Sequence, residues 1–226
     1  MNDSHSTIDS DSENRPWFTG SIPSRELRRR IWHMSPGFLP LILQFVPHAD
    51  PVSPTLRWIF MGVATVIGLR ILWGFRQIRR NNETGGMAAV AGYSLSVIIM
   101  LLLFPQHLEL SLALLAILAF GDGSATLFGL LIQGPKLPWN PDKTWSGLLA
   151  FVGIGSMMAS WIYRGETLNP EAIDAPVGFQ TALMLVTPAV IAAALFESID
   201  SRINDNIRVG IIAGLMLMLT HMYRPV

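Results

Sequence analysis

One aspartate lies between two glycines inside an apolar stretch of this chain, and it is the residue whose type and position most clearly suit chemistry. The stretch covers residues 110–132, which is long enough to cross a lipid bilayer. Asp122 falls near its middle, between Gly121 and Gly123. A carboxylate at that depth is costly unless it faces a cavity, a cation or a partner. We therefore interpret Asp122 as a functional residue; the alternative is that the helix ends near Phe120 and Asp122 only caps the next one.

Two further groups of polar residues are expected at the same end of the spans as the loop after Asp122. One follows an arginine run near the start of the chain, and the other is the segment FESIDSRINDN. Carboxylates, amides and cations in one place suit a magnesium-bound nucleotide, because Mg²⁺ takes one or two carboxylates with phosphate oxygens while lysines and arginines neutralise the phosphates. The three groups are Glu26, Arg29, Arg30 and His33; Asp122, Lys136, Asn140, Lys143 and Ser146; and Glu197, Asp200, Asp205 and Asn206.

Each group also has a purely structural interpretation. The arginine run could only anchor the topology, His33 could be an interfacial histidine, and residues 197–206 could be a solvated turn. The glycines at 121, 123 and 129 would let a backbone approach phosphate closely, but the chain has no Walker A motif, which excludes an ordinary P-loop. The expected convergence of all three groups on one face favours a binding site.

Composition places the chain among polytopic membrane proteins. Half of its 226 residues are hydrophobic and only 14% are charged, so most of the length is expected to form spans. The formal net charge is zero, which provides no basic field for a nucleic-acid partner. The absence of cysteine excludes disulfides, a thiolate nucleophile and Cys-ligated zinc.

Hydropathy and the distribution of basic residues predict an all-α bundle of seven spans. Residues 1–20 are polar and are interpreted as a disordered tail, and residues 21–226 as a single transmembrane domain. The arginines before the first span place the N-terminus, and with it the polar groups, on the cytoplasmic side by the positive-inside rule. The expected spans are 31–46, 55–75, 86–104, 110–132, 147–163, 179–196 and 208–223.

Three motifs carry a resemblance to a known family. The first is ELRRRIWHMSPG, which resembles the pattern E-x-x-R-K-x-x-H-x-x-x-G of the CTP-dependent polyprenol kinases. The second is GDGSATLFG followed by KLPWNPDKTWSG, which resembles G-D-G-x-A-x-x-x-G followed by K-x-P-x-N-x-x-K-S-x-x-G in that family. The third is ESIDSRINDN, which resembles the pattern E-x(7)-D-N of the same family. That family includes dolichol kinase, phytol kinase and the CTP-using diacylglycerol kinase, and it is distantly similar to the phosphatidate cytidylyltransferases. The resemblance covers nearly all of the chain after the tail. Arg30 replaces the usual lysine, which changes donor geometry, and Thr144 replaces the usual serine.

The resemblance implies transfer of the γ-phosphate of CTP to the hydroxyl group of a membrane lipid alcohol, with the lipid tail between helices. Arg29, Arg30 and His33 would lie where the hydroxyl meets the nucleotide. The implied Mg²⁺ ligands are Asp122, Asp205 and Glu197. The implied catalytic residues are Asp122, Lys143, Asp205 and His33, and the implied nucleotide- and phosphate-binding residues are Arg29, Arg30, Gly121, Gly123, Lys136, Asn140, Thr144 and Asn206.

Two other functions remain open at this point. A cytidylyltransferase would join CTP to a lipid phosphate and expel pyrophosphate, but the D-R-x-D signature of those enzymes has no counterpart around residues 197–206. A carrier with Asp122 as an intramembrane ion site would be expected to show an inverted repeat of broken helices, and only one span is interrupted. The alcohol (phytol, farnesol, geranylgeraniol, dolichol, undecaprenol or diacylglycerol) and the oligomeric state also stay open, since apolar surface discriminates weakly per methylene.

Overall fold

The structure is a computed structural model, and it describes residues 22–46, 48–51, 53–78, 86–201 and 204–224. The expected disordered tail, 1–20, lies outside the described residues. Helices dominate the described chain, in agreement with the expected all-α class. In chain order the elements are α1 (Ser24–Met34), a 3₁₀ turn (Ser35–Phe38), α2 (Leu39–Leu43), α3 (Pro54–Ile78), α4 (Gly86–Leu103), α5 (Leu108–Ala116), a π-helical segment (Ile117–Gly121), α6 (Asp122–Ile132), β1 (Lys136–Leu137), β2 (Asn140–Thr144), α7 (Trp145–Thr167), α8 (Phe179–Ser198) and α9 (Asp205–Met222).

A continuous helical rod from Leu108 to Ile132 forms the centre of the bundle and carries Asp122. It consists of α5, the π-helical segment and α6, and it does not end near Phe120, so the capping alternative for Asp122 does not hold. Every residue of the π-helical segment is buried, and so is most of α5. Single π-helical turns inside α-helices occur often at functional sites, and this one ends immediately before Asp122.

The glycines on both sides of Asp122 are required by helix packing. A Cβ atom at Gly121 would lie 2.7 Å from the Phe151 ring of α7, and one at Gly123 would overlap the Met34 side chain at the end of α1. Both positions are thus filled by neighbouring side chains, and they allow α7 and α1 to approach Asp122 closely. The expected contact of these glycines with phosphate stays a prediction.

Among the described residues, three helices are long and apolar enough to cross a membrane: Leu108–Ile132, Trp145–Thr167 and Phe179–Ser198. These helices fit a membrane protein. The expected first span, 31–46, is not one continuous helix, because a 3₁₀ turn separates α1 from α2. The count of seven spans and the cytoplasmic N-terminus stay predictions.

Helices α7, α8 and α9 run in alternating directions beside the central rod, so their termini meet at the two ends of the bundle. Small residues such as Ala193, Ala194 and Ala213 are fully buried, as is typical of closely packed helices in lipid. The N-termini of α7 and α9 meet the C-terminus of α8 at one end, which we call the site end. The C-termini of α7 and α9 and the segment before α8 meet at the other, which we call the opposite end.

A short antiparallel hairpin joins α6 to α7 where the sequence predicts only a loop. Lys136 lies opposite Thr144, and Leu137 lies opposite Asn140. Thr144 also caps α7, since its hydroxyl accepts a hydrogen bond from the backbone nitrogen of Gly147 at 3.2 Å. The hairpin therefore has a defined position relative to α7 and the site end.

Candidate active site

The arginines of α1 reach Asp122 through a network of ion pairs. Glu26 lies one turn before them, and its Oε1 is 2.9 Å from Arg29 Nη2 and 3.1 Å from Arg30 Nε. Arg30 Nη1 lies 3.2 Å from Asp122 Oδ2. Glu26 thus holds both guanidinium groups on one face of α1, and Arg30 pairs with a carboxylate inside the bundle.

His33, one turn after Arg30, meets the same carboxylate oxygen. Its Nε2 atom lies 3.0 Å from Asp122 Oδ2 and 3.1 Å from the carbonyl oxygen of Leu118, which belongs to the π-helical segment. The Tyr93 ring packs edge-on against the imidazole, with the ring centroids 5.1 Å apart. His33 therefore connects α1 with the π-helical segment of the central rod and with Asp122 directly after it.

Across the site end, Lys143 binds two carboxylates. Its ammonium group contacts the carboxylate of Glu197 and lies 3.5 Å from Asp205 Oδ2. Arg208, one turn further along α9, lies 2.6 Å from the other oxygen of Asp205. The Glu197 side chain is largely buried, whereas that of Asp205 is 49% exposed. Asp205 is thus the carboxylate of this group that solvent reaches most easily.

The two halves of the site interact electrostatically. The positive charge of Lys143 attracts the carboxylate of Asp122, and the carboxylates of Asp122 and Glu197 repel each other. The structure thus brings together Asp122, Lys143 and Asp205, which the sequence places at the same end of the bundle. Carboxylates from four helices, α1, α6, α8 and α9, share this end with cationic side chains from α1, the hairpin and α9.

Asn140 and Trp139 fasten the hairpin to the C-terminus of α8. Asn140 Nδ2 donates a hydrogen bond to the carbonyl oxygen of Ser198 at 2.9 Å, and Trp139 Nε1 donates to Ser198 Oγ at 2.9 Å. Asn140 Oδ1 accepts a hydrogen bond from the backbone nitrogen of Asp142 at 3.0 Å. These are the contacts of a positioning residue, and the expected contact of Asn140 with a nucleotide stays a prediction.

The other expected nucleotide-binding residues differ in exposure. Lys136 is exposed on β1, whereas Thr144 is buried, with its hydroxyl 3.0 Å from Ser146 Oγ. Asn206 is buried in the first turn of α9, and its backbone nitrogen donates to Asn204 Oδ1 at 3.0 Å. Lys136 therefore reaches solvent at the site end, while the Thr144 hydroxyl caps α7 and the Asn204 side chain caps α9 by accepting from the backbone nitrogen of Asn206.

A cavity of about 400 Å³ adjoins this cluster. Its lining includes Arg29, His33, Tyr93 and Asn206, and the rest is mostly apolar side chains of helices α1 to α5. Trp32, also in the lining, is 57% exposed. A cavity with a few polar groups and an apolar wall suits a ligand that has one polar group and a long apolar body.

The sequence does not single out Tyr93 or Arg208 as members of a site. Arg208 follows Asp205 by three positions on a helix, and that spacing is a signal for an ion pair. Tyr93 lies in an apolar helix with no motif around it, so its position beside His33 is visible only from the packing.

Three curated plant proteins are similar to this chain. The chain is 23% identical over 205 residues to "Probable phytol kinase 2, chloroplastic" of Oryza sativa subsp. japonica, a match that covers 85% of the chain and 65% of that relative. It is 25% identical over 220 residues to "Phytol kinase 1, chloroplastic" of Arabidopsis thaliana, covering 90% and 69%, and 22% identical over 204 residues to "Probable phytol kinase 3, chloroplastic" of Glycine max, covering 82% and 60%. The chain thus spans about two thirds of the length of these relatives. No family model and no solved structure matches it.

Proposed function

We propose that this chain, a distant member of the polyprenol and phytol kinase family, transfers a phosphoryl group from a nucleotide to the hydroxyl group of an isoprenoid alcohol in a membrane. The names of the three plant relatives support an alcohol acceptor of the phytol type. The motif resemblance supports CTP as the donor.

The observation that carries this proposal is the contact of Asp122 with Arg30 and His33 beside an apolar cavity. An alcohol bound in that cavity would direct its hydroxyl group to His33, which is part of the lining, while its tail contacts apolar side chains. Imidazole is the most common general base in enzymes. His33 is therefore our candidate to accept the hydroxyl proton.

The charges of the site fit a magnesium-bound triphosphate. Asp122, Glu197 and Asp205 offer the oxygen ligands that Mg²⁺ prefers, and each of them is paired here with an arginine or a lysine. A bound metal would take over the carboxylates, and the arginines and Lys143 would then be available to the phosphate oxygens. When bound, Mg²⁺ neutralises charge on the phosphates during transfer.

In the proposed reaction the alcohol oxygen forms a bond to the γ-phosphorus of the nucleotide. The bond between that phosphorus and the oxygen that bridges it to the β-phosphate breaks, and the nucleoside diphosphate leaves with this oxygen. The hydroxyl proton passes to His33. The residues of the chain contribute by holding the two substrates in line and by matching the charge of the phosphates.

We also propose that the chain crosses the membrane seven times, with the N-terminus and the site end on the cytoplasmic side. The cations of α1, the hairpin and α9 cluster at the site end, and basic residues accumulate on the cytoplasmic side of membrane proteins. A nucleotide from the cytoplasm would then reach the exposed Asp205 and Lys136 directly.

A substrate panel tests the proposed function. The purified chain in lipid nanodiscs is incubated with Mg²⁺, each of the four nucleoside triphosphates, and each of the six lipid alcohols considered above, and lipid phosphate is measured by thin-layer chromatography. We expect phosphorylated phytol, with CTP as the best donor. Asp122→Asn should lose this activity, and Asp142→Asn, the same change at an exposed position of the hairpin, should keep it. No product with any pair of substrates, or full activity of Asp122→Asn, would contradict the proposal.

A further inference from the structure

Four side chains of the kinds that bind metals meet at the opposite end of the bundle. His107 precedes α5, Glu109 lies in its first turn, Asp174 belongs to the segment between α7 and α8, and His221 lies in the last turn of α9. One ligand atom from each of the four lies within 4.8 Å of the others. We call these four residues the histidine cluster.

The distances within the histidine cluster are close to those of ligands around one small cation. His107 Nδ1 lies 3.2 Å from Glu109 Oε1 and 3.3 Å from Asp174 Oδ2. His221 Nε2 lies 3.7 Å from Glu109 Oε1 and 3.2 Å from Asp174 Oδ2. The ligands of a tetrahedral Zn²⁺ ion, at bond lengths of about 2.0–2.2 Å, are about 3.3–3.6 Å apart. Little movement of these side chains would therefore enclose an ion.

Hydrogen bonds alone leave part of the histidine cluster unsatisfied. Asp174 Oδ2 is buried and accepts no hydrogen bond of good geometry, although His107 Nδ1, His221 Nε2 and Arg224 Nη1 all lie within 3.3 Å of it. The two imidazole rings are 4.7 Å apart, so two protonated rings would repel each other. A metal ion between the rings would be bound by the neutral form of both, which is the form of histidine that ligates metals.

Tyr163 orients His221 in the way that metal-binding histidines are oriented. Its hydroxyl oxygen lies 2.8 Å from His221 Nδ1, which directs Nε2 towards the carboxylates. Such outer contacts fix the tautomer and the ring position of metal ligands.

Glu109 is held as firmly, since its side chain is 3% exposed, whereas His107 and Asp174 are 30% and 27% exposed. An ion could therefore enter from solvent.

The surroundings of the histidine cluster carry further buried carboxyl groups. Asp50 and Glu166 are both buried at this end. His48 pairs with Glu166 at 2.9 Å, and Arg224 lies 3.1 Å from Asp174 in the cluster. Burial first, and then the charges of Glu109 and Glu166, raise the pKa of Asp50 to about 7, as expected for a carboxyl group in a negative field. A bound cation would reduce that field.

We propose that the histidine cluster binds one divalent transition-metal ion of the zinc type, in a structural site separate from the candidate active site. Two nitrogen and two oxygen ligands favour Zn²⁺ over Mg²⁺ and Ca²⁺, which prefer oxygen ligands. Glu109 and Asp122 lie on the same rod about 20 Å apart, at 1.5 Å per residue, so the two sites share no ligands. The ion would join the start of α5, the segment before α8 and the end of α9.

Metal analysis of the purified full chain, carrying an affinity tag without histidine, tests this proposal. After incubation with Zn²⁺ and desalting, the wild-type chain should retain one equivalent of zinc, and Co²⁺ should give the visible absorption bands of a tetrahedral site. His221→Asn should weaken zinc binding by about tenfold or more. His48→Asn, which removes a histidine at the same end but outside the histidine cluster, should bind zinc as the wild type does.

Tyr163→Phe is the second variant, because it keeps all four ligands and the packing of the ring. Loss of the hydroxyl should lower zinc affinity by about tenfold or more, and in the presence of a chelator it should lower the melting temperature only by the effect of one lost hydrogen bond. The proposal is overturned if the wild type retains no zinc, or if His221→Asn and Tyr163→Phe both bind zinc as tightly as the wild type.

Discussion

His33 Nε2 and Asp122 Oδ2 lie 3.0 Å apart, which joins a helix near the start of the chain to the middle of the central rod. The same histidine lines the apolar cavity. This contact therefore places the wall of the cavity next to the carboxylates of the site end. It also brings α1 into the candidate active site.

Two lysines of the hairpin should respond differently to the same substitution. Lys143→Gln removes the partner of the largely buried Glu197, and breaking a buried ion pair by removing one partner costs about 3–5 kcal/mol. We expect a lower melting temperature and a large loss of kcat. Lys136→Gln, at an exposed position, should keep the melting temperature and raise KM for the nucleotide. Equal effects of the two changes on melting temperature and kcat would contradict this distinction.

Gly121→Ala should destabilise the bundle. The added Cβ atom would lie 2.7 Å from the Phe151 ring, and overpacking of this kind typically costs about 1–3 kcal/mol. Gly153→Ala in α7 is the matched control, because nothing lies within 4 Å of the added atom and alanine favours a helix. Melting in detergent should show a loss at Gly121 and no loss at Gly153; an unchanged Gly121→Ala variant would refute the packing role.

The sequence predicts which polar residues meet at the site end better than it predicts how the helices hold them there. Asp122, Lys143 and Asp205 stand out because polar residues are costly near apolar spans, and the structure brings them together. The π-helical segment and the packing role of Gly121 depend on how α7 approaches the rod, and no local pattern encodes that approach.

The sequence does not predict the histidine cluster either. Its members come from three segments that are distant in the chain, and no spacing links His107 with His221. The segment with Asp174 is visible only as an acidic, proline-containing loop. The one available signal is the occurrence of ionisable residues at the ends of apolar helices, which does not reveal which of them meet.

Asp50 should make stability depend on pH in chelator-treated protein. Burial, then Glu109 and Glu166, raise its pKa from 3.8 to about 7 against the opposing charges of His48 and His107. The folded chain therefore keeps a proton that the unfolded chain loses, and the contribution of Asp50 to stability falls as the pH rises from about 4 to about 7.

Asp50→Asn removes this loss of stability at higher pH, because the amide does not titrate. The difference in melting temperature between Asp50→Asn and the wild type should increase in favour of the variant between pH 5 and pH 8, values that bracket the upper part of the transition. Asp142→Asn, at an exposed position, should track the wild type at both pH values. A constant difference between Asp50→Asn and the wild type would contradict the assignment.

The absence of native cysteine makes single-cysteine labelling a direct test of orientation. Asp142→Cys lies on the hairpin at the site end, and Glu171→Cys lies on the exposed segment before α8 at the opposite end. In intact cells, a membrane-impermeant maleimide should label Glu171→Cys, and it should label Asp142→Cys only after permeabilisation. The reverse pattern, or labelling of both variants in intact cells, would contradict the proposed topology.

Phosphoryl transfer to the lipid alcohol is tested most directly by following the individual phosphates of CTP. The purified chain is incubated with phytol and with CTP labelled at either the α- or the γ-phosphate, and lipid and water-soluble products are separated. We expect the γ-label to enter the lipid and the α-label to remain in CDP. Appearance of the α-label in lipid, or of the γ-label in pyrophosphate, would contradict phosphoryl transfer at this site.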